Sequence, residues 1–165
     1  MMNPLLQLSS PGVSISAGHP SDLSVGAIRS DGVFVVYTGF DETLAAVRGA
    51  ASFALPLGVP ITLVRFDTIP HSQSLDAAAG ISPIATEAFG DELKRIGIFV
   101  WRRVCRCREV GAAIRRTLTC TSLVFVGRSR GWWFDSSRHV RHALEAAGHF
   151  VVTVDRTTTA ENAHA

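Results

Sequence analysis

At 165 residues the chain has the length of one domain and can bury a real core. Its 47% hydrophobic content places it among ordinary globular proteins, and no apolar run reaches the roughly 18 residues that a membrane span needs. The net charge is +2 but unevenly spread: from Gly97 to Arg141 ten Arg stand against Glu109 and Asp135, a local surplus of +8, whereas the first 96 residues carry five basic and nine acidic groups.

The segment 1–31 is rich in Ser, Gly and Pro and has no sustained periodicity, so it is expected to be a flexible arm. No basic stretch leads into an apolar one there, and no secretory signal is expected. The ordered domain is expected over 32–155, with a disordered tail at 156–165.

Val33–Tyr37 is a short apolar run of the kind a parallel strand buried on both faces needs. Gly39 follows, and Asp41 is the expected N-cap of a helix that places Leu44, Val47, Ala51 and Ala54 on one face. Pro56 and Gly58 end that helix near Leu57. Ile61–Phe66 is the second strand, and 67–80 a loop. Ser82-Pro83 predicts an N-cap with proline at the first helical position, opening a helix to about Ile96. Ile98–Val104 is the third strand. A helix from about Arg108 to Leu118 carries Val110, Ile114 and Leu118 at helical spacing. Leu123–Val126 is the fourth strand, Ser137–Ala147 the last helix and Phe150–Val154 the last strand.

Strands alternating with helices of this length predict an α/β fold, a doubly wound parallel sheet of five strands with helices on both faces. Ligands of such sheets bind beyond the carboxyl ends of the strands, where strand order reverses. Two turns fall on that edge: Thr38-Gly39-Phe40 after the first strand, and Gly127-Arg128-Ser129-Arg130-Gly131 after the fourth. The second leads through Trp132, Trp133 and Phe134 to Ser136-Ser137 at a helix start. A glycine-flanked turn and a helix N-terminus both favour negative charge, and two arginines add to it. The predicted site is for a phosphate-bearing ligand, or a degenerate version of one.

Other chemistry is thinly signalled. Cys105, Cys107 and Cys120 have no paired metal spacing and are expected to be reduced cytosolic thiols. His139, His142 and His149 lack a completing Cys or carboxylate and are expected on the surface, so no metal is predicted. Neither a nucleophile elbow nor paired carboxylates stand out, and no catalytic residue is assigned. The basic half suits phosphates, acidic lipid or an acidic partner domain. The arginines are spread over several elements without a stripe of aromatics, so nucleic acid is not expected. Trp132, Trp133 and Phe134 are a candidate partner or dimer surface.

Three pieces of the chain resemble the universal stress protein superfamily, over roughly Val33 to Asp155. VVYTGFDETLAAVRGAASFALPLGVPITLVRF is similar to its opening strand, turn, first helix and second strand. EVGAAIRRTLTCTSLVFVGRSRG is similar to its third helix and the strand before the phosphate turn. SSRHVRHALEAAGHFVVTVD is similar to its last helix and strand. GVPITLVRF, AAIRR and LVFVGRSRG also resemble the soluble C-terminal domain of plant-type cation/proton exchangers.

The resemblance implies strand order 3-2-1-4-5, counting the five predicted strands, and an adenine nucleotide alpha hydrolase-like fold, often dimeric. It implies ATP or another adenine nucleotide as ligand, held by an acidic residue ending the first strand and by a Gly-x-x-Gly turn followed by Gly-Ser. Here Thr38 occupies the acidic position, the turn is Gly127-x-x-x-Gly131, and Ser136-Ser137 stands where Gly-Ser is expected. The leading expectation is therefore a non-enzymatic cytosolic stress or regulatory module with a degenerate phosphate site, related to antiporter regulation. One alternative is an ATP-binding universal stress protein with slow hydrolysis. The other is a dimerisation or scaffold domain without a ligand.

Overall fold

The computed structural model describes residues 13–16, 32–76, 80, 82–118, 121–128 and 136–155. Its elements are β1 (Val13–Ser16), β2 (Val33–Val36), α1 (Phe40–Leu57), β3 (Ile61–Thr68), a 3-10 turn (Pro83–Ala85), α2 (Glu87–Arg95), β4 (Trp101–Cys107), α3 (Val110–Thr117), β5 (Leu123–Arg128), α4 (Ser136–Ala146) and β6 (Phe150–Asp155). They form one six-stranded sheet in the order β1-β6-β5-β2-β3-β4. From β6 to β4 every neighbouring pair is parallel. Numbered without β1, those five strands have the order 3-2-1-4-5 that the resemblance implies.

The reason β2 reads as four apolar residues in a row is that both its faces are covered. Val33 and Val35 join a core with Leu44, Val47, Ala50 and Ala51 of α1 and Phe89 and Leu93 of α2. Phe34 and Val36 join a second core with Ile114 of α3 and Leu144 of α4. With period-2 side chains, a strand between two helical layers has no face left for polar residues. Val33, Val35 and Val36 are at most 1% exposed, and burying each stabilises the fold by about 1.5–3 kcal/mol.

Several boundaries differ from the sequence reading, each for a local reason. Asp41 is not the N-cap: α1 begins at Phe40 after Gly39, and Asp41 lies in the first turn. The second helix does not begin at Ser82. Pro83–Ala85 is a separate 3-10 turn, and Thr86 caps α2, its Oγ1 accepting from the Phe89 N–H at 3.4 Å. The third strand starts three residues later than its apolar run. Gly97 takes a left-handed conformation (φ +69°) after α2, and the Ile98 N–H closes back onto the Leu93 carbonyl at 3.1 Å. Ile98 and Val100 thus finish the docking of α2, and pairing with β3 begins only at Trp101. The C-terminus of α1 follows the expectation: Gly58 at φ +65° ends it, and the Val59 N–H bonds to the Ala54 carbonyl at 3.2 Å.

The largest departure is β1. Within the segment expected to lack regular elements, Val13–Ser16 pairs antiparallel with Val154–Val151 on the outer edge of β6. Four residues are too few for periodicity to reveal, so the strand is defined by the edge it covers. No helix among the described residues is long and apolar enough to cross a membrane.

Candidate functional site

The crossover point lies between β2 and β5, neighbours in the middle of the sheet whose next strands lie in opposite directions. It brings the predicted segments 38–40 and 127–128 together. The Thr38 hydroxyl donates to the Gly127 carbonyl at 3.1 Å.

The surrounding groups are engaged with one another. Thr43, fully buried in the first turn of α1, accepts at Oγ1 from the Thr38 N–H at 3.2 Å and the Gly39 N–H at 3.5 Å. Those are the backbone donors an anion would use. The Glu42 carboxylate lies against Gly39, where a Cβ would meet it. A carboxylate in the first turn also complements the helix dipole that a phosphate would otherwise exploit. Phe40 turns to α2 and packs edge-on to Phe89 at 5.4 Å between centroids.

Gly127 is not a turn glycine. It belongs to β5, and a Cβ on it would overlap the backbone carbonyl of Glu42. Its lack of a side chain lets the start of α1 press directly onto the strand. Arg128 is also a strand residue. Its Nη1 lies 3.8 Å from Asp155 Oδ1, its partner in register on β6. Both side chains are about half exposed, so this ion pair adds about 0–1 kcal/mol. Ser136 opens α4, and Ser137 is buried in its first turn. Ser129, Arg130, Gly131, Trp132, Trp133 and Phe134 lie outside the described residues.

Among the described residues of the site, the Thr38 and Gly39 N–H groups are bonded to Thr43, the Glu42 carboxylate flanks Gly39, and Thr38 stands as a donor where the resemblance implies an acid.

Three of the ten arginines of the basic stretch hold backbone carbonyls. Arg102 Nη1 donates to the Ile84 carbonyl at 2.9 Å, and Arg106 Nη1 to that of Leu75 at 2.6 Å. Arg108 donates to the carbonyls of Ile69 at 3.1 Å, of Gln73 at 2.5 Å, and of Pro70. These guanidiniums hold carbonyls of the described residues between β3 and α2, which lie outside the strand ladders. Sequence reasoning missed this, because an arginine count does not distinguish a surface charge from a carbonyl clamp.

It also missed a cavity of about 380 Å³ at the ends of β3 and β4, lined among others by Arg65, Asp67, Thr68, Ser82 and Arg106. Arg65 pairs with Asp67 and lies over the Tyr37 ring at 5.1 Å. Burial pushes the pKa of the Tyr37 hydroxyl up, partly opposed by the Arg65 charge. The sequence signal was Arg65-x-Asp67, two charges on one face of an otherwise apolar strand.

His149, expected on the surface, is buried, and its Nδ1 accepts from the Ser122 N–H at 3.3 Å. Among the described residues no three His, Cys, Asp or Glu gather as a metal site. Cys107 is buried, and desolvation raises the pKa of its thiol.

The architecture defines a class, the doubly wound α/β domains with a central crossover. No family model matches the sequence, and no curated protein does. Solved structures of similar shape include a universal stress protein from Archaeoglobus fulgidus DSM 4304, at TM-score 0.46 and 15% identity, over 76% of this chain and 44% of that one. A universal stress protein family member from Burkholderia pseudomallei aligns at TM-score 0.43 and 16% identity, over 74% of this chain and 94% of that one. The chain therefore spans less than half the length of the Archaeoglobus protein.

Proposed function

We propose that this chain is a non-enzymatic regulatory module of the universal stress protein type, whose nucleotide site is closed by its own residues. The observation that carries the reading is the Thr38–Gly127 hydrogen bond beneath the Glu42 backbone. A hydroxyl linking the two strands takes the place of an acidic anchor, and the chain fills the space a ligand would enter. Such a module acts through its surfaces. The short likeness of GVPITLVRF, AAIRR and LVFVGRSRG to exchanger domains supports an antiporter-type regulatory target.

Thermal unfolding with and without 1 mM ATP tests this. A ligand at one hundred times its Kd stabilises the native state by about 2.7 kcal/mol. In a domain of this size that raises Tm by roughly 5–10 °C. The closed site predicts a shift below about 1 °C for ATP, ADP and inorganic phosphate. A shift of several degrees with ATP overturns the proposal in favour of an ATP-binding universal stress protein. A second reading, a ligand-free scaffold domain, shares the closed junction and is favoured by the apolar groups exposed along β4.

A further inference from the structure

The two edges of the sheet are treated differently. The outer edge of β6 is covered by β1, whereas β4, among the described residues, pairs only with β3 and ends the sheet. Proteins usually protect such an edge with proline, a bulge or a covering segment, because its free N–H and C=O groups invite another strand. β4 has seven residues and no proline. Its first part is exposed: Trp101 is 61% exposed, Val104 40%, and Phe99 just before it 73%. Phe99 and Trp101 stack edge-to-face at 5.4 Å.

The same edge is cationic. Arg102 and Arg103 stand between Trp101 and Val104, and both are exposed. Arg103 makes no hydrogen bond or ion pair with another described residue. Arg102 donates one N–H to a carbonyl, which leaves its charge uncompensated. Two of the three acids of α2 already have cations: Asp91 pairs with Lys94, and Glu92 with Arg95 and Arg48.

We propose that the outer edge of β4 is a docking strand for an extended segment of a partner protein, bearing the pattern apolar–acidic–acidic–apolar. The backbone would pair by strand addition, with alternate side chains supplying specificity. The partner's outer residues lie against Trp101 and Val104, and its two acids against Arg102 and Arg103. The pattern reads the same in both directions, so it serves a parallel or an antiparallel partner. A second copy of this chain, centred on Val104, is a poor match. Pairing two β4 strands antiparallel about Val104 sets Arg102 against Arg106 on both sides, and like charges directly opposite destabilise a sheet. This inference rests on β4 alone and stands whether or not the closed nucleotide site does.

The test uses the full chain and two fluorescein-labelled peptides, Thr-Val-Glu-Glu-Val-Thr and Thr-Val-Lys-Lys-Val-Thr. The acidic peptide is expected to bind at least tenfold more tightly than the basic one, and less tightly as salt rises. It should slow amide hydrogen exchange within 101–107 and leave 150–155 unchanged. Arg103→Glu should abolish the preference between the peptides, because it sets one negative charge beside Arg102. Trp101→Thr, at an exposed position, should weaken the acidic peptide at least fivefold without changing Tm. Equal binding of the two peptides, protection outside β4, or self-association through β4 in sedimentation would each overturn the proposal.

Discussion

The junction of β2 with β5 and the outer edge of β4 share one sheet, with only β3 between β2 and β4, yet they are finished in opposite ways. At the junction the donors, the carboxylate and even the space above Gly127 are engaged by the chain itself. At the edge, backbone, aromatic rings and cations face outward. The described residues at the usual place for a ligand in this architecture are therefore engaged with one another, and the place usually guarded is open among the described residues. A fold fixes where a site can be; the residues decide whether one is there.

The closed junction breaks most directly at Gly127. A methyl group there overlaps the Glu42 backbone carbonyl, and neither strand nor helix start can yield cheaply. Gly127→Ala should cost about 3 kcal/mol, the upper end for overpacking, and lower Tm by roughly 6–12 °C. Gly49→Ala is the contrast. Its methyl meets a Val154 side-chain carbon at 3.0 Å, which can shift, and alanine favours the helix. Calorimetry of the two variants separates a packing glycine from a phosphate-turn glycine, because the latter role predicts a folded protein with unchanged Tm.

Thr38→Asp is the next largest test. It replaces a donor with an acceptor aimed at the Gly127 carbonyl, so it should destabilise the fold by about 1–3 kcal/mol and leave ATP affinity unimproved. A gain in ATP binding on titration would mean that the site is dormant only for want of its acid, and that the closed junction opens readily.

On the other side of the comparison, Arg108→Ala should act locally. It releases the carbonyls of Ile69, Pro70 and Gln73 at once. Proteolysis within 69–76 should quicken by about tenfold, which corresponds to roughly 1.4 kcal/mol of local opening, while global Tm changes little. Unchanged cleavage would return Arg108 to the pool of surface charges.

The parallel core was legible because its signal is chemical and local. Both faces of β2 and β5 are buried, so VFVV and LVFV carry no polar residue, and helices such as 44-47-51-54 show one face each. The edges were less legible, since an edge strand answers to what lies beside it. In β4, the apolar start of the run docks α2 and the Arg-rich remainder pairs with β3. In β1, four residues complete a neighbour that lies far off in sequence. The site was half legible. The spacing located the crossover and named Thr38 and Gly127, which do meet. The hydrogen bond and the backbone contact they make were not legible, because both are long-range.

The smallest expected effect concerns a buried hydroxyl beside the junction. Thr153 on β6 stands in register with Val126, one residue before Gly127. It is 6% exposed, and its hydroxyl has no hydrogen-bond partner among the described residues. A buried donor left unsatisfied carries its full desolvation penalty, whereas an apolar group of the same shape carries none. Thr153→Val keeps the β-branched outline that a strand favours and removes that penalty. It should stabilise the domain by about 1 kcal/mol and raise Tm by roughly 2–4 °C. Combined with Gly127→Ala the gain should persist, because it repairs a different contact on the neighbouring strand. A loss of stability in Thr153→Val would show that the hydroxyl is satisfied, and that the closed side of the sheet is better matched than its hydrogen bonds suggest.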